Sequence, residues 1–319
     1  MPLISASACA KLILLGEHAV VYGQPALAIP FSGLRVRCVV EPWIDGPAGT
    51  LQIAAPELQL DQPFQELPEH NFLRKALTLV LSELKVTRMP TAKLKLRSDI
   101  PISAGLGASA AIAVAAMRAL AAFLGHPLEN ETLNRFAFET EKLMHGNPSG
   151  IDNTVIVYEQ PILFRKGASL EFVQPGRDLY FLVADCGVKK ATAETVAYLA
   201  AQRERDPQRI DAAIEEIGRI ALKGTRAFKR GDLETLGQMM NADQSILASL
   251  DLSHSALDQL IDAARQAGAL GAKLTGGGKG GNMLALVTPE TQENVKSALL
   301  SSGATAVYQT NLKGGRGND

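Results

Sequence analysis

Cysteine, net charge and long apolar runs are all scarce in this chain. Cys9, Cys38 and Cys186 are odd in number and widely spaced, and no CxxC or histidine-rich spacing accompanies them. That excludes a disulfide framework and a zinc site, and the three read as reduced core thiols. With 32 basic and 33 acidic side chains, the formal net charge is -1. No basic surface is left over for nucleic acid or an anionic membrane, so any anion site must be local. The apolar N-terminal stretch is broken by Ser5, Ser7 and Lys11 and has no basic segment before it, and no run approaches a membrane span. The expected compartment is therefore cytoplasmic, without a membrane partner. Neither an internal repeat nor a low-complexity linker occurs. What is present, 319 residues of which 46% are apolar and 20% charged, fits a globular protein of two lobes sharing a cleft. The expected partner is a small molecule.

Short apolar or alternating runs divided by Gly, Pro and Asp predict strands over 3–9, 11–15, 34–41 and 51–54. Helical spacing of Phe72, Leu73, Leu77, Val80, Leu81 and Leu84 predicts a helix over 70–85, and alternation predicts a strand over 92–98. Further helices are expected over 110–124 and 131–144, and strands over 162–164 and 179–184. Residues 193–267 read as four successive helices, broken at Asp206-Pro207, Gly231-Asp232 and 251–254. Strands over 272–274, 283–287 and 304–308 with a helix over 289–301 return the C-terminal part to α+β character. The lobes are expected at 1–170 and 171–319, with a frayed end.

Residues 101–111 read PISAGLGASAA, a glycine-rich loop running into an alanine-rich helix. Gly105 and Gly107 allow positive φ and close backbone approach, and the first N–H groups of the helix lack intrahelical partners. With the helix dipole added, strand, loop and helix form a phosphate cradle. Residues 11–23, KLILLGEHAVVYG, place Lys11 among apolar residues, where an unpaired ammonium is costly, and deliver Glu17 and His18 to a turn. The lesser alternative is that Lys11 snorkels and Glu17 caps a helix. Residues 139–153, ETEKLMHGNPSGIDN, put Glu141 near a helix end and Asp152 just after a turn built on Gly146, Asn147, Pro148 and Gly150. Two carboxylates so placed suit phosphoryl transfer: one can hold Mg²⁺ and the other can orient or deprotonate a hydroxyl. Residues 273–282, KLTGGGKGGN, again run from a strand into a glycine-rich turn.

These strings resemble, in order along the chain, the motifs of the GHMP kinases, a family of ATP-dependent small-molecule kinases. The resemblance implies an α+β GHMP kinase fold. Its N-terminal lobe would be ribosomal protein S5 domain 2-like and its C-terminal lobe ferredoxin-like with added helices. GEHAVVYG and HGNPSGID are similar to the branch acting on mevalonate, and Ala19-Val20-Val21 differs from the GEHTDYN of sugar kinases. The implied activity is ATP-dependent phosphorylation of the 5-hydroxyl of (R)-mevalonate. Branches acting on 5-phosphomevalonate or on the 3-hydroxyl, and a non-catalytic sensor on the same fold, stand as alternatives.

The resemblance makes Asp152 the catalytic aspartate with Lys11 beside it, and Ser109 and Glu141 the Mg²⁺ ligands. Ile102, Ser103, Ala104, Gly105, Leu106, Gly107, Ala108 and Ser109 would wrap the ATP phosphates. Ala108 departs from the family's usual serine and Ser103 from a common glycine. Gly277, Gly278 and Lys279 belong to the third motif, where Lys279 replaces a frequent glycine and Asn282 a cysteine. Its ammonium either reaches the phosphates or faces water. Glu17 and His18 would bind the mevalonate end. Within residues 183–196, VADCGVKKATAETV, Thr192 is a candidate substrate contact or a plain N-cap, and Lys190 is a candidate for the substrate carboxylate. Many family members are homodimers, so a second copy of the chain is a candidate partner.

Overall fold

The structure, a computed structural model, describes residues 2–101, 105–145 and 148–315. The chain divides into two compact units. The first gathers Met1–Lys11, Leu34–Ile102 and Gly107–Glu159, and the second Leu12–Gly33, Ser103–Leu106 and Gln160–Asp319.

In the first unit, strands β2 (Ala26–Pro42), β3 (Leu51–Ala55), β4 (Leu60–Pro63) and β5 (Ala92–Ser98) lie in the order β4-β3-β5-β2. The latter part of β2 runs antiparallel to β5, with Val36 opposite Ser98 and Pro42 opposite Ala92. Alternation along β5 buries Ala92, Leu94 and Leu96 and turns Lys93, Lys95 and Arg97 outward, the period of two that makes this segment a strand. Helix α1 (Phe72–Glu83) is capped by the Asn71 side chain, which accepts from the N–H groups of Leu73 and Arg74. It packs on α2 (Ala108–Phe123) and α3 (Asn130–His145), and α4 (Ile151–Tyr158) packs on both α2 and α3. Helix α2 is the hub: its alanines are buried around most of its circumference, as expected of a helix apolar on all sides.

In the second unit, β8 (Leu179–Asp185), β9 (Gly271–Thr275), β10 (Asn282–Val287) and β11 (Ala306–Leu312) form an antiparallel sheet in the order β11-β8-β10-β9. With α9 (Gln292–Ser301) between β10 and β11, this is a β-α-β-β-α-β ferredoxin-like arrangement. Its first crossover is expanded into α5 (Thr192–Arg205), α6 (Pro207–Arg230), α7 (Leu233–Ser249) and α8 (Ser255–Gln266). Leu182, Ala184, Leu257, Ile261, Leu274 and Ala285 contribute to its buried interior. The start of β2 pairs with β6 (Ile162–Phe164), which pairs with β7 (Glu171–Phe172).

Three local features differ from the sequence reading. The two expected N-terminal strands are one, β1 (Ile4–Leu15), with Ala10 inside it. The segment after the HGNPSG turn is helical. The short edge strands β4 and β7 carry too few residues for a periodic signal. All three cysteines are buried and free, and burial pushes the Cys9 thiol up to about 12. No helix among the described residues is long and apolar enough to cross a membrane.

Candidate active site

In the first unit, Lys11 lies on β1 with its stem buried, and its Nζ is 3.0 Å from Oδ1 of Asp152. Asp152 is the second residue of α4, where the first turn's unpaired N–H groups favour a carboxylate. Its side chain is 30% accessible against 4% for Lys11, so the carboxylate is the half of the pair that a reactant can reach. Ser109, in the first turn of α2, donates its hydroxyl hydrogen to Oε1 of Glu141 on α3 at 2.8 Å. Burial, reinforced by the nearby Asp152 charge, pushes Glu141 up to about 7 against the opposing pull of the Ser109 hydrogen bond and of Lys11. Gly107 caps α2 in the left-handed region, at φ 79°. A Cβ there would come within 2.8 Å of Ile156 Cδ1 and 3.1 Å of Lys11 Cγ. Only glycine lets the loop pass this close to the Lys11–Asp152 pair.

The described part of the phosphate loop comprises Gly105 and Leu106 leading to Gly107, Ala108 and Ser109. Ile102, Ser103 and Ala104 lie outside the described residues, as do Gly146 and Asn147 of the turn before Asp152.

In the second unit, Gly105 approaches the third motif, since a Cβ on it would lie 3.7 Å from Gly276 Cα. Glu17 is fully buried and paired with Lys273 of β9, whose Nζ also lies 3.5 Å from Oδ2 of Asp243 on α7. Lys273 further donates to the Leu274 carbonyl at 2.7 Å. Burial raises both carboxyls, with Lys273 opposing it. Gly16 N–H points at the same Asp243 oxygen at 3.4 Å, so this cluster pins the turn that presents His18.

His18 sits at φ 61°, and its Nε2 is 2.9 Å from the Gly277 carbonyl. A carbonyl oxygen only accepts, so Nε2 carries the hydrogen and Nδ1 is left as an acceptor. Burial holds the ring's value down at about 4, so the imidazole is neutral at physiological pH.

Thr192 opens α5 as its first residue. Ala191, not Thr192, occupies the cap position, and no side chain caps the helix there. Thr192 instead packs beside Gly277: a Cβ on that glycine would stand 3.0 Å from Thr192 Cα, Thr192 Oγ1 and Thr195 Oγ1 alike. Lys190 is exposed and paired with Glu194 one turn on. Gly278 packs over the Leu252 carbonyl, and Lys279 places its Nζ 3.6 Å from the centre of the Tyr198 ring.

Thus one unit brings together Lys11, Ser109, Glu141 and Asp152, and the other Glu17, His18, Thr192 and Gly277, while Lys190 stands apart on the surface. Sequence reasoning gave no part to Lys273, Asp243 or Tyr198. Lys273 carried the same signal as Lys11, a lysine inside an apolar strand; Asp243 and Tyr198, on ordinary helices, carried none. Among the described residues no three His, Cys, Asp or Glu side chains converge as a metal centre. A hydroxyl and a carboxylate oxygen, Ser109 and Glu141, nevertheless suit a hard cation that takes further ligands from phosphates and water.

The family model for the GHMP kinases N terminal domain matches residues 71–160, and that for the GHMP kinases C terminal matches residues 225–305. The mevalonate kinase of Pyrococcus furiosus is 35% identical, over 95% of this chain and 94% of its own length. That of Thermococcus gammatolerans is also 35% identical with the same coverage. Among solved structures, L. major mevalonate kinase in complex with R-mevalonate superposes with a TM-score of 0.81 at 29% identity. The match covers 97% of this chain and 96% of that one.

Proposed function

The chain belongs to the GHMP kinases, and from that premise we propose that it transfers the γ-phosphoryl group of ATP to the 5-hydroxyl of (R)-mevalonate, releasing ADP and 5-phosphomevalonate. The observation that carries this reading is the Lys11–Asp152 pair, a partly accessible carboxylate held by a buried ammonium beside the N-terminus of α2.

In the reaction the hydroxyl oxygen bonds to the γ-phosphorus and the bond from that phosphorus to the β,γ-bridging oxygen breaks, its electrons leaving with ADP. Asp152 orients the hydroxyl and takes its proton; Lys11 balances the charge that moves between that oxygen and the carboxylate. Gly105 to Ser109 and the glycines at 277 and 278 would offer backbone N–H groups to the phosphates, and Lys279 belongs to this second loop. Ser109 and Glu141 would hold Mg²⁺, which supplies neutralisation of phosphate charge when bound. His18, with Nδ1 as an acceptor, receives a hydrogen bond from a substrate hydroxyl, and Glu17 fixes the turn behind it. Thr192 adds a hydroxyl contact, and Lys190, once released from Glu194, a cation for the substrate carboxylate.

A coupled ADP-release assay with mevalonate, 5-phosphomevalonate, galactose and homoserine side by side tests the reading. Release with mevalonate alone is expected. Release with 5-phosphomevalonate and not mevalonate would replace this reading with that of the neighbouring branch.

A further inference from the structure

The third motif poses a physical puzzle at Lys279. Its neighbours Gly278, Gly280 and Gly281 all have positive φ, and Lys279 shares the left-handed conformation at φ 55°. A side chain is disfavoured there, and glycine would fit without strain. The surrounding contacts show what the side chain offers in return. On one flank the Lys279 N–H donates to the Leu252 carbonyl at 2.8 Å, and on the other the Gly281 N–H donates to the Val188 carbonyl at 2.7 Å. At the tip, the ammonium stacks on Tyr198 of α5, six residues beyond Thr192. The ring is fixed in turn, its hydroxyl donating to Asp251 Oδ2 at 3.3 Å, next to the Leu252 that receives the loop. No carboxylate among the described residues forms an ion pair with Lys279, so the ring is the group its cation meets. The same loop touches the start of α5 a second time, where Gly277 lies against the hydroxyls of Thr192 and Thr195.

We propose that Lys279 is a positioning residue, a cation–π clamp that fastens the glycine loop at 276–281 to Tyr198 on α5 and so holds the loop's backbone N–H groups at a fixed distance from Thr192. Lys279 then serves ATP through the loop it immobilises and not by touching phosphate. The inference rests on the reading of this loop as a phosphate loop, and Tyr198 becomes as necessary as the lysine.

The test compares Lys279→Gly, Lys279→Arg, Tyr198→Leu and the double variant Lys279→Gly/Tyr198→Leu, with steady-state kinetics and hydrogen exchange of the ligand-free enzyme. Losing one cation–π contact should raise KM for ATP about three- to tenfold, with kcat and KM for mevalonate little changed. Lys279→Gly and Tyr198→Leu should do so equally, and the double variant should match either single one because a single contact is being removed. Lys279→Arg, which still lays a cation on the ring, should keep the wild-type KM. In the ligand-free protein, exchange at the Gly281 amide should quicken in Tyr198→Leu. A raised KM for ATP in Lys279→Gly but not in Tyr198→Leu would overturn the clamp in favour of direct phosphate contact, and no change in either would return Lys279 to the surface. Because the exchange readout needs no substrate, it stands even if the enzyme were to phosphorylate something other than mevalonate.

Discussion

Two lysine–carboxylate clusters, one in each unit, are built from the same parts and differ in access. Lys11 reaches Asp152 from an apolar strand, and Lys273 reaches Glu17 and Asp243 from another. Asp152 keeps 30% of its side chain in contact with solvent, whereas Lys273, Glu17 and Asp243 keep none. A carboxylate open to solvent can trade a proton with a substrate hydroxyl. A sealed one cannot, and its effect is confined to where it holds the backbone: here the turn from Gly16 to His18 and the start of the third motif. The sealed cluster is also an electrostatic hazard, since two acidic side chains share one ammonium. A buried ion cluster of this kind is weak evidence for stability, yet removing one member is costly.

The largest expected effect falls on the open pair. Asp152→Asn keeps the shape but cannot take a proton, and should lower kcat by about 10²- to 10⁴-fold while ATP binding by calorimetry stays close to wild type. Breaking the sealed cluster instead should act on the fold: Lys273→Met strands two buried carboxylates and should cost about 3–5 kcal/mol in urea unfolding. Smaller losses are expected at the metal ligands. Ser109→Ala and Glu141→Gln should each raise the Mg²⁺ concentration needed for half-maximal rate, and the double variant should fall well short of the product of the two, because both serve one ion. If neither shifts the Mg²⁺ requirement, the ion is held by other groups.

The smallest effect is a pH dependence. The folded-state value of His18 is depressed from 6.5 to about 4. Below 6.5 the unfolded chain therefore binds a proton that the folded chain refuses, and this contribution to stability is full above about 6.5 and lost as pH falls toward 4. Unfolding free energies measured from pH 7 to 4.5 should decline more steeply in wild type than in His18→Asn. Parallel curves would show that His18 is not the group held neutral.

What the sequence made legible follows from where periodicity is strong. Strand β5 alternates cleanly and was readable to the residue, and α1 and α2 followed from spacing and from the run of alanines. Helix α4 was not readable, because IDNTVIVY is short, has a weak helical period and follows a glycine turn. The start of α5 differs in another way: Thr192 looks like a cap, but the chain places Ala191 there and Thr192 in the first turn, packed beside Gly277.

At the site, residue types and motif order were visible, while contacts were not. Nothing local says that Lys11 and Asp152, or Ser109 and Glu141, meet across long stretches of chain. Asp243 lies in a polar helical segment that looks solvated until α7 is packed against β9. The left-handed lysine at 279 is visible only as a broken motif, and its partner Tyr198 becomes apparent only once α5 is in place.

The division of labour between the two clusters is tested most directly by setting turnover against unfolding free energy for Lys11→Met and Lys273→Met in parallel. Removing Lys11 leaves Asp152 in contact with water, so stability should change by no more than about 1 kcal/mol while kcat falls by at least about 10²-fold. Removing Lys273 should produce the opposite balance, a large loss of stability with a smaller change in kcat for whatever fraction remains folded. Equal losses of stability in the two variants, or a Lys11→Met enzyme that turns over like wild type, would contradict the account.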